Sequence, residues 1–275
     1  MDHLTVVHRY KKFQEKGILS GWKVLPNPSL FGYRMMFLIV GTPPKSPKDD
    51  LIRKLKLIHG VVLLVDFAGD SLGISLFYNS DQSLSRTIEL ISRITNAESV
   101  TQFHLGSHPS KVGQLTETDW EIIHSLEKDG MESYVQVAKE IGFTPRTVKN
   151  RLQRLELESA LTISPVFDLS SIGGVIGVFL HYSYTNPEIK SAVDQAVLSH
   201  FEGSYLWAMV ADPERSYLIM LAPAMSSIKP YLQWIRQQSG VASAEILIAL
   251  EGISLWSKAL ELFATPDQKS PLRSA

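Results

Sequence analysis

The sequence contains no cysteine, which excludes a disulfide scaffold and any zinc, iron–sulfur or thiol site built on cysteine. It also lacks a long apolar run. The longest stretch without a charged residue, 169–187, contains Ser, Gly, His, Tyr, Thr and Asn, so it predicts a strand and its approach rather than a membrane span. The first residues are polar and basic, unlike a signal peptide, and we expect a cytoplasmic protein with no membrane partner.

An excess of charge of either sign is missing as well. Lys and Arg number 27 and Asp and Glu number 28, which gives a formal net charge of −1. This balance neither favours nor excludes a nucleic-acid partner, because local clustering of charge decides that question. What is present is a chain of 275 residues, 44% hydrophobic and 20% charged, which is long enough for two or three folded domains.

An internal repeat is the strongest large-scale feature of the chain. Residues 5–38 align without gaps with residues 147–180 and share nine identities in 34 positions, where chance gives about two. A search for such periodicity comes before any other assignment, since a repeat fixes the architecture. We interpret the match as a tandem duplication; the alternative is a chance match between two amphipathic helices followed by strands.

Both copies continue with the same order of predicted elements. Over 33–105 and again over 174–250, apolar runs and helical periods alternate as strand, helix, strand, strand, helix, strand. This β-α-β-β-α-β order is typical of the ferredoxin-like arrangement, in which two helices cover one face of the sheet. The open face needs a partner, and the other copy is the obvious one.

The segment between the copies predicts a helix-turn-helix. Thr116, or alternatively Thr118 through a capping box, begins a first helix, and Ser133 begins a short second helix. Gly142 supplies a tight turn, and Thr144 caps a third helix that starts with a proline.

Charge is polarised across this segment. The region 117–132 carries six acids and one lysine, whereas the last helix, 145–157, carries four basic residues and no acid before position 156. A basic helix face suits phosphates and guanine edges, although an ordinary solvated face remains the alternative.

Ten residues are candidate DNA contacts: Ser133, Tyr134, Thr144, Arg146, Thr147, Lys149, Asn150, Arg151, Gln153 and Arg154. Arg146, Lys149 and Asn150 lie on the outward face near the start of the helix, where base edges are read. Gln153 and Arg154 come later and are expected at the DNA backbone. The second helix begins at Ser133 and Tyr134, where N–H groups and hydroxyls hold phosphates.

These residues resemble a known family. The run Leu115-Thr-Glu-Thr-Asp119, followed by Ser133-Tyr134, Gly142 and Arg151-Leu152, is similar to the winged helix-turn-helix of the Lrp/AsnC transcription regulators. The α/β unit after it resembles their effector-binding domain, and the first copy resembles that domain behind the tail of a recognition helix. Arg151 matches a recurrent arginine of the family, and its role is open between phosphate contact and pairing with the acidic first helix.

The resemblance implies an α+β fold, with a winged helix-turn-helix between two ferredoxin-like βαββαβ domains. It implies a sequence-specific transcription regulator that binds double-stranded DNA, forms a homodimer or a higher even oligomer, and senses a small effector such as an amino acid. No catalytic activity, cofactor or metal is expected. The expected units are a remnant recognition helix and linker strand (1–30), a first effector-type domain (31–110), the DNA-binding domain (111–165), a second effector-type domain (166–250), and a terminal helix and tail (251–275).

Two departures from the family qualify this reading. The first copy lacks the residues that would complete its own helix-turn-helix, so either that head is lost or translation begins upstream of Met1. The family's Gly-x-x-Asp turn is not matched cleanly in either copy, which leaves amino-acid sensing open. The candidate effector-binding residues are Gly69, Asp70 and Asp212.

The duplication also predicts an architecture. The strands Leu19–Leu25 and Leu161–Phe167 should pair antiparallel within one chain, and the two sheets should face each other. One chain is then a pseudo-dimer with a single reading head, and two half-sites require two chains. The apolar positions after the last strand, namely Ile253, Trp256, Leu260 and Phe263, should cap their own sheet or seal an interface between chains.

Two alternatives to a regulator remain. Some haem-pathway decarboxylases that act on sirohaem share this fold, but basic residues are sparse in the second copy for a tetrapyrrole carrying many carboxylates. A sensing module that does not bind DNA is the other.

The sequence Gly69–Gly73 matches the Gly-x-Ser-x-Gly pattern of the nucleophile turn in serine hydrolases. That turn requires a helix after it, whereas a predicted strand follows here.

Overall fold

The computed structural model describes residues 19–105, 110–167, 175–209 and 212–263. The first part of the chain forms β1 (Leu19–Pro26), a 3-10 turn (Pro28–Phe31), β2 (Arg34–Gly41), α1 (Lys48–Leu55), β3 (Val61–Phe67), β4 (Ser71–Tyr78), α2 (Asp81–Thr95) and β5 (Ser99–Leu105). The middle forms α3 (Glu117–Ser125), α4 (Tyr134–Ile141), α5 (Pro145–Leu157) and β6 (Leu161–Phe167). The remainder forms β7 (Ile176–Tyr184), a 3-10 turn (Pro187–Ile189), α6 (Lys190–His200), β8 (Tyr205–Met209), β9 (Arg215–Ala222), α7 (Met225–Arg236), β10 (Val241–Ser254) and α8 (Trp256–Phe263).

These elements confirm the predicted α+β fold class. The two α/β parts, β2 to β5 and β7 to β10, repeat one order of strands and helices. Lys48 and Lys190, which are 142 positions apart, each begin the first helix of their part. The remnant helix expected before residue 19 and the tail expected after Phe263 lie outside the described residues. No helix among the described residues is long and apolar enough to cross a bilayer.

The eight strands of the two α/β parts form one antiparallel sheet, ordered β5-β2-β4-β3-β10-β7-β9-β8. Strand β3 joins β10 through pairs such as Leu64 with Ile253 and Leu63 with Ser254. Strand β10 therefore runs four residues beyond the predicted end at Leu250, because its last residues pair with the first α/β part.

The sheet also brings its two open faces together, as the sequence predicts. The rings of Phe37 and Phe179 lie 5.5 Å apart, and those of Phe103 and Tyr217 lie 5.3 Å apart. All four side chains are buried. An apolar core between the two α/β parts therefore holds them in one arrangement, since buried aromatic pairs contribute both area and specific geometry.

The predicted pairing of β1 with β6 is confirmed. The strands run antiparallel, with Val24 opposite Ile163 and Leu25 opposite Thr162. This two-stranded ribbon is attached to the helix-turn-helix, because the N–H of Gly130 donates to the Trp22 carbonyl at 3.0 Å. The ribbon takes the position of the wing and connects the helices to both α/β parts.

The terminal helix α8 corrects one expectation. Leu260 and Phe263 do not cap the second α/β part; they are buried in a core shared with Trp120 of α3 and Phe77 of β4. The Phe263 ring stacks on Phe31 with centroids 5.0 Å apart. Sequence spacing identified the apolar stripe but not its partner, because the partner depends on how β10 crosses to β3.

Candidate functional site: the helix-turn-helix and the pocket between the α/β parts

Short-range hydrogen bonds define the three helices between 116 and 157. Thr116 and Asp119 form a capping box at α3, with the Asp119 N–H donating to Thr116 Oγ1 at 3.3 Å. The helix therefore begins after Thr116, and the alternative start at Thr118 is not used. Ser133 accepts from the Gln136 N–H at 3.2 Å at the start of α4, and Thr144 accepts from the Thr147 N–H at 3.1 Å at the start of α5.

The turn between α4 and α5 depends on a glycine. Gly142 has φ 75° and ends α4 in the left-handed conformation, which side chains with a Cβ adopt only with strain. On the inner side of α5, Val148, Leu152 and Leu155 are buried against the other helices. The rotation of α5 about its axis is thereby fixed.

The outer side of α5 presents a polar stripe. Arg146, Lys149, Asn150 and Gln153 are all exposed and recur at helical spacing, so they share one face. Among the described residues, neither Arg146 nor Lys149 has an ion-pair partner. Of the ten predicted contacts, these four form a continuous exposed face, which we call the outer stripe.

The two later arginines of α5 are engaged by a buried acid. Arg151 Nη1 donates to Asp119 Oδ1 at 2.9 Å, and Arg154 Nη2 donates to Asp119 Oδ2 at 3.1 Å. Burial by itself raises the pKa of Asp119, but hydrogen bonds from Thr116 and Arg151 and the charge of Arg154 outweigh it and lower that pKa below its usual value. Of the two roles considered for Arg151, pairing with the first helix is the one found, while the backbone contact of Arg154 stays a prediction.

Sequence reasoning missed Asp119 as the partner of these arginines. A signal was available, because Asp119 precedes the buried Ile122 and Ile123 at positions i+3 and i+4, on the apolar face of α3. A fully buried carboxylate at such a position requires a cation or several donors nearby.

The remaining predicted contacts lie at helix starts. Ser133 is exposed, and its side chain caps α4; Tyr134 follows it and is 40% exposed. Thr144 caps α5, and its hydroxyl lies 2.9 Å from that of Thr147, which is half-buried. These residues lie on the same helix pair as the outer stripe.

A second feature is a pocket of about 420 Å³ where the two α/β parts meet. Its polar lining comes from Thr101 of β5 together with His181, Ser183, Tyr184, Glu214, Arg215, Ser243 and Glu245 of the second part. Sequence reasoning did not identify this pocket, because its lining comes from strands that are distant in the sequence.

His181 is the imidazole of the pocket, and its pKa is lowered. Burial lowers its pKa, Glu245 opposes that shift, and Arg215 adds to it. The Nε2 atom lies 3.5 Å from Glu245 Oε2. The imidazole is therefore disfavoured as a cation and is available as a neutral hydrogen-bonding group.

A buried polar network lies beside the pocket. Lys190 Nζ donates to Asp194 Oδ2 at 2.5 Å and to Ser216 Oγ at 2.9 Å. Tyr182 and Tyr184 both donate their hydroxyls to Asp194, and burial raises the pKa of each tyrosine. Every member is hydrogen-bonded, so the network stabilises the second α/β part.

Of the two candidate effector-binding turns, the one at Asp212 borders this pocket, because Pro213 and Glu214 line it. The buried carboxylate of Asp212 accepts the backbone N–H of His104 at 2.7 Å and those of Glu214 and Arg215 at 2.9 and 3.0 Å. Asp212 therefore links the two α/β parts. Gly69 and Asp70 are exposed and do not line the pocket. Within the described ranges, no cluster of three His, Asp or Glu side chains is suited to a metal ion.

Comparison with known proteins gives one family match and several related folds. Residues 115–156 match the AsnC-type helix-turn-helix domain. No curated protein matches the sequence.

Among solved structures, the chain is similar to the siroheme decarboxylase NirDL in complex with an iron-uroporphyrin III analogue, with 15% identity and a TM-score of 0.61 over 95% of this chain and 87% of that one. It also resembles E. coli AsnC, with 17% identity and a TM-score of 0.41 over 50% of this chain and 93% of that one. A feast or famine regulatory protein from M. tuberculosis complexed with L-methionine gives 22% identity and a TM-score of 0.41 over 50% and 92%. At such identities the likeness concerns the fold alone. Residues 115–156 thus match an AsnC-type helix-turn-helix domain, the part of the chain to which this family match applies.

Proposed function

We propose that this chain is a sequence-specific transcription regulator that reads double-stranded DNA with α5, and that it is not an enzyme. The observation that carries the proposal is the outer stripe, in which Arg146, Lys149, Asn150 and Gln153 stand exposed on one face of the third helix of an AsnC-type domain. Arginine and lysine suit guanine edges, and asparagine and glutamine suit adenine edges in the major groove. The cap residues Ser133 and Thr144, at the starts of α4 and α5, are exposed, and their hydroxyls are candidate donors to phosphate.

For a small effector, we infer the pocket where the two α/β parts meet, rather than the turn at Gly69 and Asp70. Its volume suits a metabolite, and its lining combines one cation, Arg215, with two carboxylates, Glu214 and Glu245. Such a lining suits a zwitterion such as an amino acid, with its carboxylate at Arg215. A ligand there touches both α/β parts, because Thr101 belongs to the first part and the other lining residues belong to the second, and it can bias their arrangement.

A second candidate is an enzyme that acts on a tetrapyrrole, as the likeness of fold to a siroheme decarboxylase over 95% of this chain suggests. The charge of the pocket disfavours it. Glu214 and Glu245 outnumber Arg215, and burial disfavours the charged form of His181. A tetrapyrrole with many carboxylates would meet like charges there. An absorbance band retained by the purified protein, or decarboxylation of added sirohaem, would move this candidate ahead of the regulator.

Selection from a random pool of duplexes tests the proposal. The wild-type chain should enrich one motif. A chain carrying Arg146→Ala and Lys149→Ala should bind that motif at least ten-fold more weakly, because about 1–3 kcal/mol of discrimination attaches to each good base contact.

Lys139→Ala is the matched control, since Lys139 is exposed on α4 outside the outer stripe. It should leave the affinity within about two-fold of wild type, within the scatter of exposed charge changes. Equal affinity of the double variant and the wild type for the enriched motif would contradict the assignment of α5.

A further inference from the structure

We propose that Asp119 is a specificity-determining residue, whose buried carboxylate holds Arg151 and Arg154 away from the DNA backbone so that α5 meets DNA through the outer stripe. This inference rests on the proposed function, and it replaces the backbone contact that the sequence predicts for Arg154. It concerns a residue of α3 that belongs to neither the outer stripe nor the helix that carries it.

Both oxygens of the Asp119 carboxylate accept hydrogen bonds. Oδ2 accepts the Thr116 N–H at 2.9 Å, the Thr116 hydroxyl at 2.8 Å and Arg154 Nη2 at 3.1 Å, while Oδ1 accepts Arg151 Nη1 at 2.9 Å. The Asp119 side chain is 0% exposed. Charge-assisted hydrogen bonds of this kind are roughly twice as strong as neutral ones.

Capping of α3 does not by itself require this arrangement. The cap uses Oδ2 and Thr116, whereas Oδ1 receives an arginine alone. The arginine side chains remain 32% and 44% exposed at Arg151 and Arg154, so both lie at the surface on the basic helix. Without the acid they would be long, mobile cations next to the outer stripe.

The consequence for DNA binding follows from what phosphates contribute. Contacts to phosphate raise affinity for every sequence alike, whereas base contacts distinguish sequences. Helix α5 carries four cations before position 156, and Asp119 engages two of them. The pairing of Arg151 and Arg154 with Asp119 lowers the sequence-independent part of the binding free energy. Arg146 and Lys149 are then the cations of α5 that contact the duplex.

The test compares Asp119→Asn with Glu121→Gln in the full chain. Asparagine keeps an oxygen for the cap but replaces the second acceptor with an amide that cannot accept from arginine. Glu121 is exposed on the same helix, so its variant makes the same change of net charge without releasing an arginine. Thermal melting of each variant reports whether it is folded.

The expected result is tighter and less selective binding by Asp119→Asn. Its affinity for a scrambled duplex should rise roughly ten-fold at low salt. The plot of log affinity against log salt concentration should become steeper, by about 0.9 for each new phosphate contact and for up to about two contacts. The ratio of affinities for the selected and scrambled duplexes should fall. In the double variant Asp119→Asn with Arg154→Gln, the increase in this slope over wild type should be about half of that in Asp119→Asn alone.

Three outcomes overturn the inference. One is that Asp119→Asn matches Glu121→Gln in slope and in affinity ratio. Another is that folded Asp119→Asn loses all binding. The third applies if Asp119→Asn does not fold, in which case Arg154→Gln is tested alone. An unchanged salt dependence of its affinity for scrambled DNA supports the inference. A salt dependence lowered by about one phosphate contact contradicts it. A wild-type chain that binds no duplex refutes the proposed function instead, and this inference falls with it.

Discussion

At the residue scale, one helix carries cations in two different situations. Arg146 and Lys149 are exposed without an ion-pair partner among the described residues, whereas Arg151 and Arg154 share the buried Asp119. The composition of the helix alone does not distinguish these four basic residues. One buried carboxylate on the neighbouring helix makes the difference, because it pairs with the two later arginines and leaves the first two cations without an ion pair among the described residues.

His181 gives a residue-scale prediction about pH. Its pKa is lowered in the folded state, chiefly by burial, so the unfolded chain binds more protons than the folded chain at pH values below its ordinary pKa of about 6.5. The contribution of His181 to stability is therefore fully present above that pH and declines as the pH falls towards the folded pKa. The loss is at most about 1.4 kcal/mol per pH unit for one proton.

Urea unfolding of the wild type and of His181→Gln at pH 7.5 and pH 5.5 measures this effect. The wild type should lose more stability than the variant between the two pH values. His59→Gln is the control, because His59 is exposed and its variant should lose as much as the wild type. Equal losses in the wild type and in His181→Gln would show that the imidazole does not contribute.

At the element scale, the terminal helix α8 fastens the helix-turn-helix to the first α/β part. Its Phe263 contacts Phe31, Tyr33 and Phe77, with centroid distances of 5.0, 5.5 and 5.1 Å. Lys258 Nζ also donates to the Lys56 carbonyl. The end of the second α/β part therefore contacts the first part, and it shares a buried core with Trp120 of the helix-turn-helix.

Phe263→Ala should destabilise this junction by about 3–5 kcal/mol, as expected for truncation of a buried phenylalanine. Denaturant unfolding measures the loss in the free energy of unfolding, and hydrogen exchange shows which helices are destabilised. Exchange should accelerate in α3 to α5 more than in α6 and α7.

Leu57→Ala serves as the control for this change, since Leu57 is 83% exposed and its truncation should cost no more than about 0.5 kcal/mol. Unchanged exchange in α3 to α5 after Phe263→Ala would contradict the role given to α8.

The sequence predicted elements best where local interactions decide the structure. The caps at Ser133 and Thr144 each depend on a residue three positions away, α4 begins after Ser133 as predicted, and α5 has the predicted bounds. The β1–β6 pairing followed from the alignment of the copies. The pairing of Asp119 with Arg151, the docking of Phe263 and the pocket around His181 join residues distant in sequence, and no local pattern specifies such partners.

At the scale of the whole molecule, the two α/β parts pack as a pair, and the described residues contain one helix-turn-helix. An operator with two half-sites, about 34–36 Å apart along the duplex, therefore requires two chains. We expect two chains on a duplex carrying both half-sites of the selected motif and one chain on a duplex carrying one. Sedimentation of the complexes measures both ratios, and one chain on the two-site duplex would contradict this arrangement.

We propose above that this chain reads DNA sequence through α5. The most direct test is the binding of the purified chain to DNA from the upstream region of its own gene, titrated in salt beside a scrambled duplex of equal length. We expect tight binding that weakens steeply as salt rises and that prefers the upstream DNA at every salt concentration. A folded chain that binds both duplexes equally, or binds neither, would contradict it.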